Sequence, residues 1–215
     1  MVEFITIAVG PLDVNCTIVV NRNMNEGFLV DPGGNIDQIK KIVDENKIKI
    51  KGIFFTHGHF DHIWGAVDVP SFFSDSLTIG MHNADSFLWD NLSEQLKRFG
   101  FHASLEKRPG INLWLKEGQF TFCDINFEIL HTPGHSPGSC SFYFFDEKQP
   151  FLIAGDVIFK GSIGRTDLWG GDYNTLIGSI QSKIMNLPGQ TRIISGHGPD
   201  TTVGDEKRDN PYLGG

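Results

Sequence analysis

"FFTHGHFDHIWG", residues 54–65, sets His57, His59, Asp61 and His62 close together directly after an apolar run. A short apolar run of this kind reads as a buried strand, and a strand end is a rigid platform for side chains. Gly58, between two imidazoles, calls for a tight backbone turn. The stretch is either a solvated polar turn or a set of metal ligands, and residues elsewhere in the chain decide between the two.

The same neighbourhood recurs. His135 follows Gly134 in "HTPGHSPGS" (131–139), Asp156 follows Gly155 in "GDVIF" (155–159), and His197 lies between two glycines in "SGHGP" (195–199). A glycine beside a ligand lets the backbone approach closely and aim a short side chain into a cleft. Zinc and similar divalent ions accept neutral imidazole nitrogen and carboxylate oxygen at about 2.0–2.2 Å. His57, His59 and His135 can make one three-nitrogen site, Asp61, His62 and His197 a second, and Asp156 is suited to bridging them. Two cations about 3.5–4 Å apart polarise a shared water and lower its pKa towards neutrality, so that a bridging hydroxide serves as nucleophile. A lone His-x-His is common on surfaces; four ordered motifs of this composition are much more specific. His82 and His102 have no such company and read as surface or helix residues. His131 and His135 have the spacing of a helical pair, but Pro133 and Gly134 forbid a regular helix there, which leaves His131 a supporting or structural residue. Asp31 in "VDPGG" (30–34) stands at a strand end before proline and is expected to fix a turn by hydrogen bonding rather than to coordinate.

Strand-like runs fill the first part of the chain, at 3–9, 15–21 and 27–31, with turn residues between them. Residues 35–48 carry apolar positions at 36, 39, 42 and 43, the helical period, and Asn35 with Gln38 suggests a capping box. A buried strand at 52–55 follows, then a helix at 84–99. The second part offers a hairpin (119–124 with 126–131), strands at 139–145 and 150–156, a helix at 172–189 with Leu176, Ile177, Ile180 and Ile184 on one face, and a strand running into His197. In both halves a strand ends in Asp and a later strand ends in His-Gly. That echo predicts pseudo-twofold halves, two sheets with helices outside them, and so a four-layer α/β/β/α sandwich.

At 215 residues, without a linker or low-complexity segment, the chain reads as one domain, 1–215. A formal net charge of −8 argues against nucleic acid as a partner, because that binding is dominated by Lys and Arg on phosphates. Cys16, Cys123 and Cys140 form no CxxC and read as reduced, buried thiols. The opening "MVEFITIAVGPLDVN" (1–15) has no basic segment, and no apolar run approaches the roughly 20 residues that span a bilayer, so a cytoplasmic protein without a membrane partner is expected.

In order and content the motifs resemble those of the metallo-β-lactamase superfamily, and within it the hydroxyacylglutathione hydrolases (glyoxalase II) of the short, single-domain bacterial type. The resemblance runs from "LVDPGG" (29–34) to "RDNPYL" (208–213). It implies a binuclear centre, with zinc first and iron or manganese as alternatives. His57, His59 and His135 would hold one ion, Asp61, His62 and His197 the other, with Asp156 bridging. It further implies hydrolysis of a small-molecule thioester such as S-D-lactoylglutathione by a metal-bridging hydroxide, which Asp61 would orient. Full-length glyoxalase II carries a C-terminal helical extension with basic contacts to glutathione, and the short, single-domain type is expected to do without it. Arg165 in "GSIGRTDLWGGD" (161–172), with Lys160 behind it, is therefore the expected substrate contact; a surface ion pair is the bland alternative. The same loop also resembles persulfide dioxygenases, which use a mononuclear iron site. That reaction, or hydrolysis of another ester or lactone, is the alternative to thioester hydrolysis.

Overall fold

Alternating β-branched and aromatic residues open the chain and form a meander in a computed structural model that describes every residue except Ser74, Asp75, Ser104, Glu106, Lys107 and Gly215, and the side chains of Pro70 and Ser71. Strands β1 (Val2–Val9) and β2 (Val14–Asn21) pair antiparallel along their full length, and β3 (Glu26–Val30) pairs antiparallel to β2. Helix α1 (Ile36–Glu45) then carries the chain back so that β4 (Lys49–Phe54) lies parallel to β3. The buried face of α1 is Ile36, Ile39 and Val43, the stripe its apolar period requires. The expected capping box does not form. Asn35 sits in the left-handed region (φ 48°), and its Oδ1 accepts from Gly10 N at 2.6 Å instead of from the first turn of the helix.

Helix α2 (Phe60–Ile63) runs through a 3-10 turn (Trp64–Val67) into α3 (Val69–Phe72), and β5 (Thr78–His82) adds parallel to β4. The single helix expected over 84–99 is broken. A 3-10 turn (Asn83–Asp85), α4 (Ser86–Asp90) and α5 (Leu92–Arg98) follow one another, with Asn91 at the break. Asn91 Nδ2 donates to Phe87 O at 2.7 Å, and a side-chain amide that competes for a helix carbonyl in this way disfavours straight continuation. Strand β6 (Leu113–Leu115) completes a six-stranded sheet in the order β1 to β6.

Strands β7 (Gly118–Phe122) and β8 (Ile125–His131) are joined through Cys123 and Asp124, both at positive φ (51° and 56°), the pattern of a two-residue type I′ hairpin. Strands β9 (Cys140–Phe144) and β10 (Phe151–Gly155) continue the meander, and β11 (Ile158–Phe159) with β12 (Ser162–Ile163) forms a small separate hairpin. Helix α6 (Tyr173–Ser179) continues through a π-turn (Ile180–Ile184) to β13 (Arg192–Ser195), parallel to β10; β14 (Thr201–Thr202) and α7 (Val203–Asp209) close the chain. The second sheet runs β14-β13-β10-β9-β8-β7. Leu176, Ile180 and Ile184 are buried, as their spacing predicts, and Ile177 is half-buried.

The chain divides into two compact units, Met1–Leu115 with Thr121–Ile125, and Lys116–Phe120 with Asn126–Gly215. The first has a core that includes Ile18, Leu29, Ile39, Ile53 and Ile63, the second one that includes Leu152, Ile158, Leu176, Ile180 and Ile193. The echo in the sequence is a repeat of topology. An antiparallel meander (β1-β2-β3, β8-β9-β10) is followed by a helical crossover to a parallel strand (β4, β13). Asp31 and Asp156 leave the last strand of each meander, and His57 and His197 leave the parallel strand beside it. In open α/β sheets the carboxyl ends of neighbouring parallel strands are where ligand sites form. Among the described residues no helix is long and apolar enough to cross a membrane.

Cys123 is half-buried at the tip of its hairpin, where burial, and then Glu26, push its thiol from the ordinary 9.0 to about 11. A raised thiol pKa favours the protonated, folded form, so this contribution is complete below pH 9 and is lost as pH rises through about 11. Urea unfolding across that window is expected to show a steeper decline for the wild type than for Cys123→Ser; parallel pH curves would refute it.

Candidate metal centre

In the first unit, the site grows from Asp31. Its carboxylate is buried at the end of β3, where Oδ1 accepts from Thr56 N (2.8 Å) and Oδ2 from Thr56 Oγ1 (2.6 Å) and His62 Nδ1 (2.9 Å). Because His62 donates through Nδ1, its Nε2 carries the lone pair. The Thr56 hydroxyl spends its proton on Asp31 and lies 3.1 Å from His57 Nδ1, so it accepts from that nitrogen and fixes His57 in the same tautomer. Asp31 hydrogen-bonds as expected, but its carboxylate ties Thr56 and His62 to the end of β3 rather than fixing its own turn.

The turn between the imidazoles is clamped by two side chains that sequence reasoning missed. Gly58 N donates to Asp85 Oδ2 (2.8 Å), Gln95 Nε2 donates to Gly58 O (3.0 Å), and Phe60 N donates to Gln95 Oε1 (3.1 Å). Asp85 and Gln95 are both buried. Neither carries a motif; a buried acid and amide inside an amphipathic helical stretch was the signal available. The result is a compact cluster. The rings of His57 and His59 are 4.7 Å apart, those of His57 and His62 4.1 Å apart, and His62 Nε2 stands 3.7 Å from Asp61 Oδ2. Gly33 makes it possible: a Cβ there would lie 1.6 Å from Asp61 O, so the 31–34 turn can pack on α2 only without a side chain.

In the second unit, Asp156 is the hub. Its Oδ2 lies 3.6 Å from His135 Nε2 and 3.7 Å from His197 Nε2. His135 donates through Nδ1 to the carbonyl of Arg165 at 2.8 Å, again leaving the lone pair on Nε2. A Cβ on Gly164 would lie 1.8 Å from Asp156 O, so the segment leaving the hairpin can pass this position only with glycine there. His131 bonds the Pro137 carbonyl through Nε2 (2.9 Å) and braces the 132–139 loop. His82 Nδ1 accepts from Ala84 N at the start of a 3-10 turn, and His102 is exposed.

Glu206 of α7 was also missed. It is buried, and it accepts from Gly161 N (2.9 Å), Asn210 Nδ2 (2.7 Å) and Thr201 Oγ1 (2.5 Å), while Asn210 Nδ2 also donates to Ser162 O (3.0 Å). These bonds hold the tip of the β11–β12 hairpin, whose two ends are Asp156 and Arg165.

The donor set fits divalent cations. Imidazole–carboxylate separations of 3.6, 3.7 and 3.7 Å are too long for hydrogen bonds. Two donors each about 2.1 Å from one ion and tetrahedrally disposed would stand about 3.4 Å apart. Arg165 makes a bidentate pair with Asp167 (2.7 and 2.8 Å) and is exposed, which is the surface ion pair set against the substrate contact above. Lys160 is exposed at the hairpin tip.

Residues 9–197 match the model of the metallo-β-lactamase superfamily, and the chain belongs to that superfamily. It is 39% identical over 214 residues to hydroxyacylglutathione hydrolase GloC of Haemophilus influenzae, across 96% of both chains. Among solved structures it resembles BLEG-1 B3 metallo-β-lactamase, with 36% identity and a TM-score of 0.87 over 99% of this chain and 100% of that one. It also resembles TTHA1623, solved in a di-iron-bound form, with 32% identity and a TM-score of 0.85 over 97% and 100%. The two mixed sheets with their helices are those of the metallo-β-lactamase fold, and the chain is a metallo-hydrolase of that superfamily.

Asp31→Ala strands three buried donors. It is expected to lower the unfolding free energy by about 3 kcal/mol and to weaken metal retention, whereas Thr56→Val, which removes the hydroxyl's bonds to Asp31 and His57 and leaves the other two donors paired, should cost about 1 kcal/mol. Urea unfolding with elemental analysis of dialysed protein checks both; equal stability and full metal content in Asp31→Ala would remove the carboxylate from its supporting role.

Proposed function

We propose that His57, His59, Asp61 and His62 from the first unit and His135, Asp156 and His197 from the second hold two divalent ions in common, and that the protein hydrolyses hydroxyacyl thioesters, S-D-lactoylglutathione foremost. The observation that carries this is the recurrent 3.6–3.7 Å imidazole–carboxylate spacing. In three of the histidines Nδ1 is tied back to protein, so that Nε2 is the ligand atom. The assignment is His57, His59 and His135 to one ion, Asp61, His62 and His197 to the other, and Asp156 to both. A relative named as a hydroxyacylglutathione hydrolase and another solved with two irons support it. Zinc is the first choice; iron and manganese accept the same mixed ligands. A reducing, cytoplasmic setting suits Cys16, Cys123 and Cys140, which stand as thiols.

Bound in pairs, such ions supply Lewis acidity, lowering the pKa of water and polarising the carbonyl it attacks. The protein's own part is orientation. Asp61, in the first turn of α2, has a second carboxylate oxygen to accept a proton of the attacking water and so aim its lone pair at the thioester carbon. A new C–O bond forms, the C–S bond breaks, and the thiol and hydroxy acid depart. The clamp of Asp85 and Gln95 on Gly58, and of Glu206 on the β11–β12 hairpin, keeps these groups from relaxing between turnovers. Arg165 and Lys160 are the cations available to the glutathione carboxylates. Arg165 must leave Asp167 to serve, so its contribution is to binding.

Purified protein is expected to carry about two divalent ions per chain and to hydrolyse S-D-lactoylglutathione. A panel with glutathione persulfide plus oxygen, and with a β-lactam, separates this reading from its competitors; a single iron with persulfide-dependent oxygen uptake would sink it. Asp61→Ala should lower kcat at least a hundredfold and empty one metal position. Arg165→Ala should raise KM severalfold at constant kcat, and an unchanged KM would return Arg165 to a surface ion pair.

A further inference from the structure

The first unit contains a cavity of about 640 Å³ that the metal ligands do not line. That is within the range of about 300–1,000 Å³ typical of small-molecule sites. Its walls include Pro11, Asn35, Trp64, Val67, Asp68 and Phe101. The bond from Gly10 N to Asn35 Oδ1 closes one side, tying the β1–β2 turn to the start of α1.

Three features connect the cavity to the reaction centre. Trp64 continues α2 with helical backbone angles (φ −61°, ψ −45°), and the 3-10 turn carries the helical path on to Val67. Residues three and four apart share a face of such a segment, so Trp64, Gly65 and Asp68 extend the stripe that begins at Asp61. The cavity is lined by that stripe one turn beyond the residue assigned to orient the water. Secondly, the glycine turn that forms another wall lies directly on the Asp61 carbonyl, through Gly33. Thirdly, the aromatic wall is built and held. Phe101 has its ring 5.7 Å from Phe60 and 5.5 Å from Trp64, bracing an i, i+4 pair on the ligand-bearing helix, and Phe60 in turn stacks on Phe99 at 4.8 Å. Trp64 and Phe101 are only partly buried, so their rings present apolar surface to the space.

A lactoyl group, with one methyl side chain, would leave most of such a cavity to water. Rings and aliphatic walls favour a larger apolar group by area removed from water and by ring–ring contact. The exposed carboxylate of Asp68 repels an anionic acyl group and accepts from a hydroxyl. Resting on the thioester-hydrolase reading above, we propose that this cavity receives the acyl arm of the substrate and selects neutral 2-hydroxyacyl thioesters with an aromatic or branched side chain over lactoyl.

The test compares kcat/KM for S-mandeloylglutathione and S-D-lactoylglutathione in wild type, Trp64→Ala and the milder Phe101→Leu. Mandeloyl is expected to be preferred at least tenfold by the wild type, with the preference falling at least fivefold in each variant. Equal values in the wild type, or a ratio unchanged in both variants, would overturn the proposal. Tryptophan fluorescence of the metal-loaded protein titrated with mandelamide, a neutral analogue, reads the cavity without turnover. Saturable quenching in the wild type that is lost in Trp64→Ala is expected, and no saturable change overturns the proposal. Saturable quenching in a protein that hydrolyses no thioester would keep the cavity as a site for neutral 2-hydroxy compounds and overturn the hydrolase reading and the acyl assignment with it.

Discussion

One buried carboxylate sets the geometry of the first unit. Asp31 sits where β3 ends, and its two oxygens accept from the backbone and hydroxyl of the residue leaving β4 and from the imidazole on α2. Three segments are thereby locked to one another at a point that water does not reach. A carboxylate with three donors is far better satisfied there than it would be alone, and each donor would be stranded without it. The same bonds fix proton positions on two histidines. Orientation of the two imidazoles and stability of the sheet edge are thus one interaction with two consequences.

The second unit solves the same problem with different chemistry. Asp156 occupies the position equivalent to Asp31 in the repeated topology, yet it faces imidazole nitrogens at 3.6 and 3.7 Å rather than backbone and hydroxyl donors. Orientation there comes from main chain: the Arg165 carbonyl holds His135, and the hairpin that supplies it is held in turn by Glu206 and Asn210. A repeated scaffold has been used once for support and once for a ligand-type carboxylate. The proline after Asp31 and the "VIF" after Asp156 already separate the two in sequence.

Side chains on strand ends and in a one-turn helix have little local structure to keep them in place. Helix α2 is four residues long and would not persist alone. It persists because Gln95 and Asp85 bond the peptide groups before it, Gly33 lets the 31–34 turn rest on it, and Phe60 and Trp64 pack against Phe101. The constraint that makes the histidines rigid also leaves a cavity along the same helical face, lined by Trp64 and Asp68.

The sequence by itself determined the class of fold and the family. Buried strands announce themselves by short apolar runs, and His-Gly and Asp motifs in fixed order have few other uses. It also pointed to hydrogen bonding at Asp31, whose partners, Thr56 and His62, came only with the fold. Tertiary structure alone decided the supporting partners. Gln95 and Asp85 lie in an ordinary amphipathic stretch and Glu206 in a run of charges; what makes them supports is burial beside peptide groups distant in sequence. It also broke the 84–99 helix at Asn91 and redirected the Asn35 side chain from its helix to Gly10. Periodicity reports which face of a segment is apolar. Which polar group meets which is settled only when chain segments remote from one another are packed and every buried donor must find its acceptor.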